Sequence, residues 1–388
     1  MLILKHGTVM PMNAHSFVGD VAIENGKIIE LGTNICCTGA QVHDVSGCFV
    51  LPGFVDAHCH VGMWEDGMRN EGDDGNECTN PITPELRAID SINPFDRCFT
   101  EAAAAGVTSC LTGPGSANVI GGQFVAMKTS GVSMEDMTIR QPIAMKAALG
   151  ENPKTVYAAE KATPQTRMAT AALLRKALVG AREYADKLDR AKDDPSKEVE
   201  IDFSKEALLP VIRRELPLKI HAHRADDILT AIRIANEFNI RFTLEHCTEG
   251  YLIIEHIKAA LAHGCEGIII GPLLSERSKI ELKNLSFEAP RILYEAGIEF
   301  AMMTDHPVIP LQYLPVSAAL AVREGLPEDV ALRSITINAA RIAGIADRVG
   351  SLEVGKDADV AVFSANPLDF RARCKLTLIN GNVVHNEL

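Results

Sequence analysis

Gly53-Phe54-Val55-Asp56-Ala57-His58-Cys59-His60 is the stretch whose reading decides the fold of this chain. Its apolar run ends in two histidines two residues apart. In a β-strand successive side chains point to opposite faces, so His58 and His60 share a face, with Asp56 below them. Two imidazoles on one face at a strand end can hold one metal ion. Cys59 points the other way, into the layer packed outside the strand. Twelve histidines in 388 residues give roughly 0.4 His-x-His pairs by chance. The pair therefore needs support from the rest of the chain.

Downstream, short apolar runs alternate with longer helical patterns. Strands are predicted at 54–58, 107–111, 143–147, 218–221, 242–245, 267–270 and 300–303. Helices are predicted at 95–105, 166–189, 226–238, 251–263 and 327–342. Strand-helix alternation over most of the chain argues for a parallel sheet covered by helices. A closed (β/α)8 TIM-type barrel is favoured over an open sheet, because no G-x-G-x-x-G follows the first strand and polar residues end several different strands. Residues 1–50 and 346–388 are β-rich, and Asn25-Gly26 and Asn380-Gly381 favour type I′ hairpin turns. The two ends are expected to meet in one small β-sandwich domain beside a barrel of residues 51–345.

Composition narrows the function classes. Hydrophobic residues at 47% and charged residues at 23% suit a chain that folds throughout. A formal net charge of -13 argues against nucleic acid and anionic membrane as partners, since both select basic surfaces. The expected partner is a small-molecule substrate, and a homo-oligomer is compatible with the composition. The start Met1-Leu2-Ile3-Leu4-Lys5-His6-Gly7 has no basic region followed by a long apolar segment, so a cytoplasmic location is expected. The 10 cysteines are scattered, with an adjacent Cys36-Cys37 pair and no C-x-x-C pairing, and they read as thiols rather than disulfides. The charged run 186–198 reads as a helix end or a solvated connection.

The strand ends supply the missing support. His221-Ala222-His223 follows Leu218-Lys219-Ile220, His246 follows Thr243-Leu244-Glu245, and Asp305 follows Met302-Met303-Thr304. In a barrel the C-terminal strand ends meet at one mouth, so His58, His60, His221, His246 and Asp305 can converge. Four imidazoles and a carboxylate suit one or two divalent ions, Zn2+ first, with Mn2+, Fe2+ or Co2+ as alternatives. Residues 62–94 form a long polar loop directly after the histidine pair, where barrel enzymes build substrate sites. A second loop, 113–123, is glycine-rich, which suits either backbone approach to a ligand or an ordinary tight connection.

These motifs, together with Ala105-Gly106-Val107-Thr108 and Gly350-Ser351-Leu352-Glu353-Val354-Gly355-Lys356-Asp357-Ala358-Asp359, resemble the amidohydrolase superfamily in its imidazolonepropionase-like and dihydroorotase-like branch. The resemblance spans nearly the whole chain. It implies that His58 and His60 bind the more buried metal with Asp305 beside them, and that His221 and His246 bind a second ion or one of them joins the first in a mononuclear site. A bridging ligand is expected from Glu151, with Lys146 as the alternative. His223, Arg224, Asn118 and Gln123 are expected substrate contacts, with Asp74, Asn76 and Glu77 of the long loop beside them.

The chemistry expected from such a site is hydrolysis of an amide, cyclic amide or dipeptide-like carbon-nitrogen bond by an activated water, with Asp305 as general acid and base. Two other readings stay open: an aminohydrolase that deaminates an amidine or heterocycle with one metal, and a non-catalytic scaffold of the same fold. Neither a serine nucleophile elbow nor an H-E-x-x-H helix offers a competing hydrolytic mechanism.

Overall fold

The computed structural model of the chain describes residues 1–36, 38–192 and 198–388. Among them the strands form two eight-stranded sheets, one from the two termini and one from the centre. The N-terminal strands are β1 (Leu2–Val9), β2 (Phe17–Glu24), β3 (Lys27–Gly32), β4 (Gln41–Asp44) and β5 (Phe49–Pro52). The barrel strands are β6 (Phe54–Cys59), β7 (Val107–Thr112), β8 (Ile120–Lys128), β9 (Thr138–Ala148), β10 (Leu218–Ala222), β11 (Phe242–His246), β12 (Cys265–Ile270) and β13 (Phe300–Met302). The chain then returns to the first sheet through β14 (Val360–Phe363), β15 (Cys374–Ile379) and β16 (Asn382–Asn386).

The termini knit together as the hairpin signals require. Asn25, Gly26, Asn380 and Gly381 all have positive φ, the conformation that a type I′ turn needs at both central positions. β5 pairs parallel with β1 and antiparallel with β14, so the two chain ends share one hydrogen-bonded sheet. Its core combines Leu4, Val21 and Val50 with Val360, Leu376 and Leu378.

In the central sheet each strand from β6 to β13 pairs with the next. All seven predicted strands lie on it. The eighth, β8, runs antiparallel to both β7 and β9 and occupies sequence expected to be partly loop. The link from β7 to β8 covers only residues 113–119, whereas a parallel crossover needs about a dozen residues. The barrel is thus nearly closed, with one reversed strand.

The predicted helices appear as Arg97–Ala104, Arg167–Lys192, Ala225–Phe238 and Ile254–Leu261, while 327–342 splits into Glu328–Ser334 and Ile337–Ile342. At the break, Ser334 Oγ donates to the Ala331 carbonyl and Thr336 Oγ1 to that of Leu332, side-chain bonds that compete with a continuing helix. The charged run 186–198 is helical through Lys192, and residues 193–197 lie outside the described residues, as does Cys37. The described cysteines are free thiols. No helix among the described residues is long and apolar enough to cross a membrane.

A buried ion-pair network joins the two sheets. Lys128 at the end of β8 reaches Asp357 at 3.0 Å and Asp359 at 2.7 Å, and Arg348 and Lys27 also pair with Asp357. Burial alone would raise the Asp357 carboxyl, but Arg348, Lys128 and Lys27 hold it well below the usual carboxylate range. Its stabilising contribution is therefore full above the ordinary pKa of about 4 and is lost as the pH falls below that. Lys128→Met leaves these carboxylates short of a cation and should cost about 3 kcal/mol of unfolding free energy at neutral pH, measured by denaturant titration. A loss below about 1 kcal/mol would show the network to be dispensable.

Candidate metal centre

The centre is built on the joint between the first and last barrel strands. Asp56 is fully buried and accepts from the His58 amide at 2.9 Å, the Thr304 amide at 2.9 Å and the Thr304 hydroxyl at 2.6 Å. Burial pushes its carboxyl up to about 7, against the pull of the Thr304 and His58 bonds. The Asp305 amide then donates to the His58 carbonyl at 3.3 Å and the His60 amide to the His306 carbonyl at 2.9 Å. Asp305 and His246 both hold positive φ, at 55° and 67°, a conformation that non-glycine residues keep only where the surroundings enforce it.

Three of the imidazoles are oriented by their outer nitrogens. His58 Nδ1 lies 2.7 Å from Glu245 Oε2, His60 Nδ1 lies 2.6 Å from the Gly113 carbonyl, and His246 Nδ1 lies 2.9 Å from the Gly271 carbonyl. These partners make Nδ1 the protonated nitrogen and leave Nε2 as a lone-pair donor toward the centre. Burial holds His58, His221 and His246 well below the usual histidine range, with Lys146 adding to the effect at each. His223 is lowered to about 3, chiefly by burial and by His221. Neutral imidazole is the form that binds a metal.

Asp305 Oδ1 stands 3.3 Å from His60 Nε2 and 3.6 Å from His58 Nε2. Ligand atoms of His58, His246 and Asp305 lie within 4.8 Å of one another, and so do those of His221, His223 and His246. His246 is thus common to two adjoining groups. Burial would raise the Asp305 carboxyl, but His60, Lys146 and His221 together hold it below the ordinary range. It is an anion at neutral pH.

The structure brings Lys146, and not Glu151, to these histidines. Lys146 is fully buried with Nζ 3.4 Å from His58 Nε2, and burial lowers it to about 8. β9 ends at Ala148, Gly150 turns the chain at a φ of 84°, and Glu151 opens the helix Glu151–Ala159. Its amide donates to Glu281 Oε2 at 3.0 Å and its own Oε2 accepts from the Glu281 amide at 3.4 Å, so Glu151 is part of the cavity wall. The distance along an extended strand placed Glu151 nearer the mouth. However, the imidazoles hang down into the barrel to the level of Lys146.

The remaining expected contacts divide. His223 and Asn76 line a cavity of about 530 Å³ above the centre, with His60, His221, Asp305 and Lys279. Asn118 is spent on the long loop, donating to the carbonyls of Glu77 and Asn80. Gln123 donates to the Pro84 carbonyl, and Arg224 pairs with Asp226. None of these three lines the cavity. The Glu77 carboxylate closes a turn onto Thr79, and the Asp74 amide donates to the Met63 carbonyl. The long loop nevertheless reaches the centre, because Trp64 packs edge-on against His60 with ring centroids 5.1 Å apart. A Cβ at Gly75 or Gly115 would collide with that indole.

Three interior residues went unread in the sequence. Glu245 and Lys219 form a buried ion pair at 2.9 Å beneath His58, and Glu281 lies against His221 and His223. A charged residue inside each short apolar strand was the signal for the first pair. Nothing local marks Glu281.

Known proteins are similar to this chain over most of its length. The amidohydrolase family model matches residues 49–384. The solved structure of an amidohydrolase from Thermotoga maritima MSB8 superposes at a TM-score of 0.96, covering 100% of both chains at 42% identity. The amidohydrolase tasK of Hapsidospora irregularis is 29% identical over 94% of this chain, which spans 40% of that relative's length. A 5-methylthioadenosine/S-adenosylhomocysteine deaminase of Desulforudis audaxviator (strain MP104C) is 23% identical, covering 94% of this chain and 85% of its own.

Removing the carboxylate behind His58 should loosen the centre without removing a ligand. Glu245→Gln is expected to weaken retention of a divalent ion by roughly 10- to 100-fold, read by dialysis against buffered chelator. Retention equal to that of the parent would show that Glu245 serves only to neutralise Lys219.

Proposed function

This chain belongs to the amidohydrolase family and is a hydrolase acting on carbon-nitrogen bonds, and on that premise we propose that it cleaves an amide, cyclic amide or dipeptide-like bond of a small molecule at the His58–Asp305 centre. The observation that carries the reading is the convergence of the His60 and His58 Nε2 atoms on one anionic carboxylate, at 3.3 and 3.6 Å. Ligand bonds of about 2.0–2.1 Å in a tetrahedron set neighbouring ligand atoms roughly 3.3–3.4 Å apart. The donor set and its spacing therefore fit a divalent ion, with zinc first among the candidates for nitrogen and oxygen ligands. His58, His60 and Asp305 would hold one ion, and His221 and His246 the other.

Lys146, 3.4 Å from His58 Nε2, would supply the bridging ligand in place of Glu151. An amine lowered to about 8 is partly neutral at mildly alkaline pH and can take up carbon dioxide as a carbamate, releasing one proton. The carbamate carries the two oxygens a bridging ligand needs.

A bound ion supplies Lewis acidity toward water and toward the carbonyl under attack. The residues supply the rest. Asp305, held as an anion, accepts the proton of the attacking water and delivers it to the departing nitrogen. One carbon-oxygen bond forms, one carbon-nitrogen bond breaks, and the proton ends on the leaving amine. Trp64 and the loop above it exclude bulk water from His60, and a cavity of about 530 Å³ suits a small molecule. Lys279, on its rim and 2.7 Å from Asn152 Oδ1, offers a cation to a substrate carboxylate.

A panel of hydantoins, lactams, dipeptides and N-acyl amino acids tests the bond type. On any substrate so found, Asp305→Asn should lower kcat by about 100- to 10,000-fold while the fold is retained. A kcat near the parental value would remove Asp305 from the mechanism. Ammonia release from an amidine or purine, with no cleavage of any amide in the panel, would replace this reading with a deaminase.

A further inference from the structure

Glu281 stands out among the groups around the cavity. It lies on the short turn Ile280–Leu282 after β12, and it is fully buried. Its Oε2 is fixed by the Glu151 amide at 3.0 Å. Its Oε1 is buried and has no hydrogen-bond partner. That oxygen faces His221 Nε2 at 3.8 Å and His223 Nε2 at 3.7 Å. Both separations are too long for a hydrogen bond. They lie close to the edge of a metal coordination polyhedron.

The imidazoles on the other side are arranged to match. His223 Nδ1 is bonded to Thr248 Oγ1 at 2.8 Å and His246 Nδ1 to the Gly271 carbonyl at 2.9 Å, so each turns Nε2 inward. Ligand atoms of His221, His223 and His246 lie within 4.8 Å of one another. Gly150 makes room for the carboxylate, because a Cβ there would lie 2.9 Å from Glu281 Oε2. A buried carboxylate oxygen without a donor is costly unless a cation compensates it. No lysine or arginine is paired with Glu281 among the described residues.

We propose that Glu281 and His223 are ligands of a second divalent ion, which they hold together with His221 and His246. This rests on the reading above that the centre binds metal, and it adds to that reading a carboxylate from the loop after β12 and the second histidine of His221-Ala222-His223. His223 is then a ligand instead of a substrate contact. The loop that carries Lys279 on the cavity rim is anchored by the same ion, so filling this site also fixes the rim.

The test uses the whole chain purified from zinc-supplemented cells, dialysed against buffers of set free zinc concentration and assayed for zinc by mass spectrometry. Glu281→Gln keeps the size of the side chain and removes the charge. One component of the parental retention curve should move to free zinc at least about tenfold higher, while the component held by His58, His60 and Asp305 stays in place. His223→Gln should move the same component, which keeps the proposal testable if the first variant fails to fold. Curves for both variants that superimpose on the parent overturn it, whatever happens to activity. A parent chain that holds no zinc at any concentration overturns the metal reading itself, and this proposal with it.

Discussion

The Asp56 carboxylate joins the first and last strands of the barrel, and the shape of the candidate metal centre follows from that joint. β6 and β13 stand at opposite ends of the hydrogen-bonded order of the central sheet. Asp56 instead takes the amide of His58 on one side and both donors of Thr304 on the other. Asp305 is the next residue after Thr304. Its positive φ turns the carboxylate back over His58 and His60. A local conformational cost at one residue is thus maintained by a buried hydrogen-bonded joint, which is how strained site geometry persists.

Charge inside the barrel is arranged in the same economical way. Lys146 and Lys219 both lie under the histidines, and Glu245 and Asp305 are the carboxylates that face them. Phe124 on the reversed strand β8 lies beneath both lysine ammonium groups, 5.7 and 5.6 Å from its ring centroid. Its ring also packs 5.4 Å from His58. The like charges of the two lysines and their burial disfavour protonated imidazole. The site is therefore a pocket rich in imidazole lone pairs, the form in which histidine binds a metal.

Much of this was legible in the sequence, for identifiable reasons. Seven barrel strands were marked by short apolar runs, and His58, His60, His221, His246 and Asp305 each stand where such a run ends. β8 escaped because Gly121-Gly122 interrupts it and because a seven-residue link hides a reversal of direction. The order of Lys146 and Glu151 was misjudged because strand rise gives distance along the chain, whereas the depth of the pocket depends on how far the imidazoles reach down. Glu281 could not be read at all. Its position against His221 and His223 depends on a loop after β12 folding back over β10, a contact that no local pattern encodes. Asn118 and Gln123 stand in a loop next to the mouth, yet their side chains face the long loop and not the cavity.

Anomalous diffraction at the zinc edge from crystals of the zinc-loaded protein tests the central claim most directly. The account predicts a peak bounded by His58, His60 and Asp305, with density for a carboxylated Lys146 Nζ beside it. Crystals grown with zinc in excess that show no peak among these residues, or a peak held by Glu151 with Lys146 unmodified and apart, would contradict it.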